Sequence, residues 1–324
     1  MDPLGLAQAP LSFTHRGNCL NQLSRAGAFA LYMAGIGGAI RDSLLKDLAM
    51  NEPCLSNPAL YLQRLSFDAP PPPTLETLRQ LQLRHTGVFP FENINTLAGL
   101  PVLIDVPSIE QKLLHEGRGG YCYELNGMFF ALLQALGFDV RGITGRVVMG
   151  QPKGAWTART HRLNLVILEG ERYITDVGFG GMVPTAPLLL DTEDEQATAH
   201  EPYRIKHHED GCTLFAKVAS EWRAMYIFDL HRQEEIDYTV GNWYVSTYPQ
   251  SSFARQLMVA RTGEGWRRTL NNGSFAIHRM GQESERREIT GLEELVDVLN
   301  REFSIRLPED AQIREALAKL LRSV

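Results

Sequence analysis

The sequence predicts an α+β chain in three parts, and three observations carry that reading. Apolar residues recur at three- and four-residue intervals from about Ala59 to Phe138. Short alternating runs broken by Gly, Asn and charged turns fill Val140 to about Tyr238, and strands followed by helices run from near Asn242 to the end.

In the first part, Pro70 to Pro73 and then Thr74 make a rigid lead into a helix with Leu75, Leu78 and Leu81 on one face. Ser108-Ile109-Glu110-Gln111 reads as a capping box opening a second helix. A third begins near Cys122, because Leu125, Phe129, Leu132, Leu133 and Leu136 keep helical spacing and Gly137 stands where a helix would stop. The middle part, with segments such as Gly142-Ile143-Thr144-Gly145-Arg146-Val147-Val148, reads as a small antiparallel sheet or barrel. The last part carries strands through Phe275 and closes with a helix opened by Thr290-Gly291-Leu292-Glu293 and another after Pro308.

Composition narrows the function classes. With 324 residues, 44% hydrophobic and 22% charged, the chain can bury a substantial core. A net charge of −6, with no Lys/Arg run interleaved with aromatics, argues against a nucleic-acid partner. Cys19, Cys54, Cys122 and Cys212 are widely spaced without a Cys-x-x-Cys, so neither a disulfide framework nor a zinc site is expected, and a reducing compartment fits. The tract His207-His208-Glu209-Asp210 places adjacent side chains apart, and no metal is expected there. Gly35-x-Gly37 and Gly178-Phe179-Gly180-Gly181 both lack the third glycine of a dinucleotide fingerprint. The apolar run Ala26 to Ile40 is short for a membrane span and has no clear cleavage site before Arg41, so it reads as a non-catalytic extension.

The chemistry centres on Cys122. Gly119-Gly120 delivers it to a helix start, where free N–H groups, the positive dipole end and the nearby Arg118 favour a thiolate. A buried structural cysteine is the alternative reading of this stretch alone. Farther on, His161 to Leu168 alternates as a strand, Glu169-Gly170 reads as its turn, and Arg172 to Val177 as the return strand. A turn centred on Glu169-Gly170 sets Leu163 opposite Asp176, which puts His161 and Asp176 on one face as diagonal neighbours. A one-residue slip would separate them. Cysteine, histidine and aspartate so arranged are a nucleophile, a base and the group that orients the base.

Four blocks in this order resemble the arylamine N-acetyltransferase family. They are Pro90-Phe91-Glu92-Asn93, preceded by His85; Arg118-Gly119-Gly120-Tyr121-Cys122-Tyr123-Glu124-Leu125-Asn126; Thr160-His161-Arg162-Leu163; and Asp176-Val177-Gly178-Phe179-Gly180. Asn242-Trp243-Tyr244-Val245-Ser246-Thr247-Tyr248-Pro249 resembles a further landmark, with Tyr248 where many members carry His. The likeness runs from about Tyr61 to near the C-terminus. It implies a papain-like α+β enzyme with a helical bundle over 59–139, a β-barrel over 140–240 that carries the histidine and aspartate, and an α/β lid over 241–324. Residues 1–58 stand outside as an N-terminal extension, and Met50 lies close to where similar proteins begin.

The resemblance also implies a cytoplasmic enzyme with no membrane partner, using acetyl-CoA as acyl donor, no metal, and small aromatic amines or hydrazines as acceptors. Cys122, His161 and Asp176 would act through an acetyl-cysteine in a ping-pong cycle, with the Cys122 backbone N–H serving the oxyanion. Thr160, Gly178, Phe179, Gly180, Trp243 and Phe253 would lie at the cofactor. Each also has a structural reading, as a turn or as core. Phe89, Val148 and Phe179 are the candidate apolar wall against an aromatic amine. Competing readings are a thiol hydrolase, an amide synthase closing a macrocyclic antibiotic chain, and a noncatalytic CoA-binding protein.

Overall fold

The computed structural model describes residues 54–152 and 154–322; Ala26 to Ile40 and Met50 lie outside the described residues. Helix α1 (Pro58–Arg64) is capped by Asn57, whose side-chain oxygen accepts from the Leu60 N–H at 2.9 Å. Helix α2 (Leu75–Val88) is capped by Thr74, which accepts from the Thr77 N–H at 3.2 Å, and it buries Leu78 and Leu81 completely. Strand β1 (Phe91–Glu92) and the short helix α3 (Ile94–Leu97) follow.

The capping box expected at Ser108 is corrected by the structure. Helix α4 (Val106–Glu110) starts earlier, with Asp105 accepting from the Ser108 N–H at 3.0 Å and Pro107 in the first turn. A carboxylate at the cap and a proline that needs no donor suit that end better. Glu110 is turned away to accept from the Ser56 and Asn57 N–H groups, each at 3.0 Å. After a π-helical turn at Gln111–His115 the chain enters helix α5 (Cys122–Ala135), which stops at Gly137 with φ +84°.

Strands β2 (Asp139–Val147), β3 (Arg159–Leu168), β4 (Glu171–Thr175), β5 (Leu188–Leu189), β6 (Tyr203–His208), β7 (Gly211–Val218) and β8 (Glu221–Phe228) form one antiparallel sheet in the order β5-β4-β3-β2-β8-β7-β6. It is nearly closed. Gln196 spans the gap, its amide bonding Leu189 N–H and C=O on β5 while its backbone pairs with Tyr203 on β6. The β3–β4 hairpin pairs Leu168 with Glu171 and Asn164 with Thr175, so the turn is centred on Glu169-Gly170 as read. Both turn residues have positive φ, 53° and 85°, the condition for a two-residue hairpin turn that follows the strand twist.

The segment around Asn242, read as opening a strand-bearing part, is helical instead. Helix α6 (Glu235–Thr247) turns Tyr238, Asn242 and Val245 inward at helical spacing. Strands β9 (Met258–Gly263), β10 (Trp266–Asn271), β11 (Ser274–Arg279) and β12 (Glu285–Glu288) form a second sheet, and β1 completes it beside β9. Helices α7 (Leu292–Phe303) and α8 (Ala311–Arg322) pack on this sheet through Leu295, Leu299, Phe303 and Leu317. Phe91 of β1 also bridges to Gly120, so the pairing of β1 with β9 ties the segment just before Cys122 to the C-terminal sheet. Among the described residues no helix is long and apolar enough to cross a membrane.

Candidate active site

Cys122 is the first residue of α5 and is 5% exposed. The two glycines before it are required by crowding. A Cβ on Gly119 would stand 2.1 Å from the Pro90 carbonyl oxygen, and one on Gly120 would stand 2.8 Å from Glu124 Cβ. Their backbone is stitched to β1, with Gly120 N–H donating to Pro90 O at 3.2 Å and Glu92 N–H to Gly120 O at 2.9 Å. Glu124 accepts from the Tyr121 N–H at 2.9 Å and so closes the helix N-terminus.

Arg118 does not lend its charge to the thiol as expected. Its guanidinium is buried and committed to Glu92, with Nε and Nη2 at 3.0 and 2.7 Å, and to Asn95 at 2.9 Å. Burial pushes the Glu92 carboxyl up, but Arg118 and Lys112 outweigh it and hold that carboxyl below its usual range. Lys112 also donates to Glu124 at 2.6 Å, where burial prevails and the carboxyl is raised. This ion network fixes the approach to Cys122 rather than its charge.

The hairpin brings His161 and Asp176 together, with Nε2 2.7 Å from Oδ2 and both side chains buried. With Nε2 engaged by the carboxylate, Nδ1 is the nitrogen left to face the neighbouring Cys122 thiol. The thiol also reaches the Thr160 carbonyl oxygen at 3.5 Å. Burial works against charge on His161, but Asp176 and Cys122 outweigh it and raise the imidazole to about 10. Burial likewise opposes the Asp176 charge. His161, Asn126 and the Gly178 N–H hold the carboxyl below its ordinary value. At neutral pH the arrangement is a buried imidazolium facing a carboxylate on one side and a sulfur on the other.

Two contributors escaped the sequence reading. Asn126, one turn after Cys122, donates to Asp176 Oδ1 at 2.9 Å. Its i+4 position from the cysteine is the signal that could have found it. Tyr226 lies with its ring 4.8 Å from the His161 ring, and its hydroxyl stands beside Asp176 without a partner in good hydrogen-bonding geometry. Phe179 completes this group, 5.1 Å from His161 and 5.2 Å from Tyr226.

The structure sorts the remaining expected site residues. Gly178 lies against the nucleophile, since a Cβ there would stand 2.8 Å from Cys122 Cα. Gly180 has φ +83° and faces the Phe91 ring. Thr160 is half-buried beside His161, and Val148 is half-buried with its N–H bonded to Met225 O at 2.9 Å. Phe253 packs on Phe91 and Tyr121, at 6.0 and 5.7 Å, over the start of α5. Trp243 is not core, being 66% exposed on α6, a helix tied to the same region by a hydrogen bond from the Tyr121 hydroxyl to Asn242. Phe89 is corrected. It is 2% exposed in the helical core between Tyr61 and His85, at 5.3 and 5.0 Å, and has no open face for an acceptor. His207 hydrogen-bonds Leu190 O and approaches Cys212 Sγ at 3.4 Å; no group of three metal-ligating side chains occurs among the described residues.

Comparison with known proteins points to one family. A family model described as N-acetyltransferase matches residues 74–312. An arylamine N-acetyltransferase / N-hydroxyarylamine O-acetyltransferase of Salmonella typhimurium is 38% identical over 246 residues, 76% of this chain and 87% of that protein. The arylamine N-acetyltransferase of Mycolicibacterium smegmatis is 39% identical over 264 residues, 79% of this chain and 96% of its own. Among solved structures, Mycobacterium marinum arylamine N-acetyltransferase in complex with CoA superposes with a TM-score of 0.76 at 40% identity, covering 80% of this chain and 98% of that one. The fold, the matched length and the ordered motifs together place the chain in the arylamine N-acetyltransferase family.

Proposed function

We propose that this enzyme moves the acetyl group of acetyl-CoA to the nitrogen of arylamines and arylhydrazines, with Cys122 as nucleophile, His161 as base and Asp176 as the residue that orients it. The observation that carries the assignment is the buried His161, its Nε2 2.7 Å from the Asp176 carboxylate and its ring beside the buried Cys122 at the start of α5. The related Mycobacterium marinum structure holds CoA, which supports the donor.

The cycle has two halves. Cys122 sulfur bonds to the acetyl carbon as the carbon–sulfur bond to CoA breaks, and the departing CoA sulfur takes the proton of His161. The acceptor nitrogen then attacks the acetyl-cysteine, His161 removes its proton, and the Cys122 thiolate leaves. Asp176 accepts the Nε2–H throughout and fixes which nitrogen faces the sulfur. The Cys122 N–H, free because the first helical donors have no partner within the helix, serves the oxyanion for about 3 kcal/mol. Half-buried Phe179 and Val148 would be the apolar surface offered to the aromatic acceptor, and Thr160, Gly180, Phe253 and the exposed Trp243 are the residues assigned here to the donor. The cytoplasm, supplied with acetyl-CoA, suits this chemistry.

Intact-mass measurement with acetyl-CoA alone tests the assignment. The wild-type protein is expected to gain one acetyl group and Cys122→Ser to turn over no acceptor. An acetyl adduct that persists in Cys122→Ala rejects Cys122 as the nucleophile. CoA release that is equally fast with and without an arylhydrazine would identify a hydrolase instead.

A further inference from the structure

We propose that Asn126 is a positioning residue for the transfer reaction, its carboxamide holding Asp176, the His161 strand and the Cys122 helix in one fixed relation. The inference rests on the reading of Cys122, His161 and Asp176 as the reacting and orienting groups.

Asn126 is completely buried, and its side chain meets three elements at once. Its Nδ2 donates to Asp176 Oδ1 at 2.9 Å and to the Arg162 carbonyl oxygen, next to His161, at 2.6 Å. Its Oδ1 accepts from the Val177 N–H at 2.9 Å. Both amide protons and one acceptor position are therefore used, and they span α5, β3 and the segment after β4. A fourth bond, from Asn164 Nδ2 to the Asn126 carbonyl oxygen at 3.1 Å, fastens the helix backbone to the same strand.

The division of labour at Asp176 follows from this pattern. Oδ2 serves His161, while Oδ1 receives Asn126 Nδ2 and the Gly178 N–H, both at 2.9 Å. Gly178 leaves room for the amide, because a Cβ there would stand 2.8 Å from Asn126 Nδ2. Only a neutral group that donates two protons and accepts one satisfies all three partners without adding charge beside the carboxylate. Removing it leaves Oδ1 with a single donor and orphans the Arg162 carbonyl and the Val177 N–H, so Asp176 is free to rotate away from His161.

Asn126→Asp separates this role from mere packing, because the two side chains have the same shape. It sets a second carboxyl 2.9 Å from Asp176, and two buried carboxylates so close cannot both ionise. While they share a proton, the new O–H replaces one of the two lost donors, the one toward Asp176; as pH rises and that proton leaves, the pair repels and Asp176 loses its hold on His161.

The test measures kcat and KM for acetyl transfer to an arylhydrazine between pH 5.5 and 10.5 in wild type, Asn126→Asp and Asn126→Ser. Intact-mass measurement of the acetyl adduct in wild type and Cys122→Ala runs alongside. Expected are an Asn126→Asp profile whose alkaline limb lies at least about one pH unit below that of wild type, and an Asn126→Ser enzyme whose kcat falls about 10- to 100-fold at unchanged acceptor KM. A wild-type pH profile in Asn126→Asp, or a wild-type kcat in Asn126→Ser should the Asp variant fail to fold, overturns the inference. An adduct that persists in Cys122→Ala would instead bring down the underlying assignment of the nucleophile, so the two failures are distinguishable.

Discussion

His161 and His85 are both buried to 3% exposure or less, yet they sit at opposite ends of imidazole chemistry. His161 has a carboxylate on Nε2 and a thiol beside its ring, and it is raised to about 10. His85 lies among the rings of Tyr61, Phe89 and Phe129, at 5.8, 5.0 and 5.3 Å, with no hydrogen-bond partner on either nitrogen. Burial alone pushes it down to about 3. The difference teaches that burial does not choose a protonation state. The partner does, because desolvation penalises charge at both sites and only one site offers a compensating charge.

The pH dependence has opposite signs at the two sites. The folded value of His161 lies above the ordinary 6.5, so its contribution to stability is full below about 6.5 and is lost as pH rises through about 10. Asp176 is lowered, so its contribution is present above about 3.9 and lost as pH falls through its lower folded value. His85 is lowered as well, so the fold keeps its full stability above about 6.5 and loses it progressively as pH falls toward about 3.

The most damaging way to break the contrast is Asp176→Asn, which deprives His161 of its charged partner. Transfer is expected to fall on the order of 10³-fold. Activity within tenfold of wild type would show that His161 does not depend on this carboxylate.

A smaller effect is expected from His85→Phe, which keeps an aromatic ring in an aromatic cage and removes the titrating group. With His85 held down at about 3 in the fold, wild type should lose about 2 kcal/mol between pH 7 and pH 5 through this residue. Denaturant unfolding should show that the variant loses correspondingly less over the same interval. An identical acid loss in both proteins would mean that His85 accepts a proton without cost.

The smallest effect sharpens the comparison as a control. Thr74→Ala removes the cap of α2, the helix that carries His85, and should cost about 1 kcal/mol by the same measurement. The cost should be equal at pH 5 and pH 7, since no titrating group is involved. A cost that grew at pH 5 would tie the acid sensitivity to fraying of α2 instead of to the His85 ring.

What the sequence determined by itself was local. Apolar spacing after Cys122 and the stop at Gly137 marked α5, and the Glu169-Gly170 turn set the register that puts His161 and Asp176 on one face. Each is settled within about fifteen contiguous residues, by periodicities of 3.6 and 2 and by turn residues that tolerate positive φ. The family motifs rest on the same contiguous stretches. Tertiary structure decided everything that required distant segments to meet. Glu110 was drawn to the Ser56 and Asn57 N–H groups, Glu92 took the charge of Arg118, and Phe89 was drawn into the core instead of the site. Asn126 joins partners 36, 50 and 51 residues away, and nothing in its own neighbourhood says which carbonyl or carboxylate it will find. Local rules place a side chain on a helix face, but its hydrogen bonds are chosen by which buried groups the packed core leaves unsatisfied.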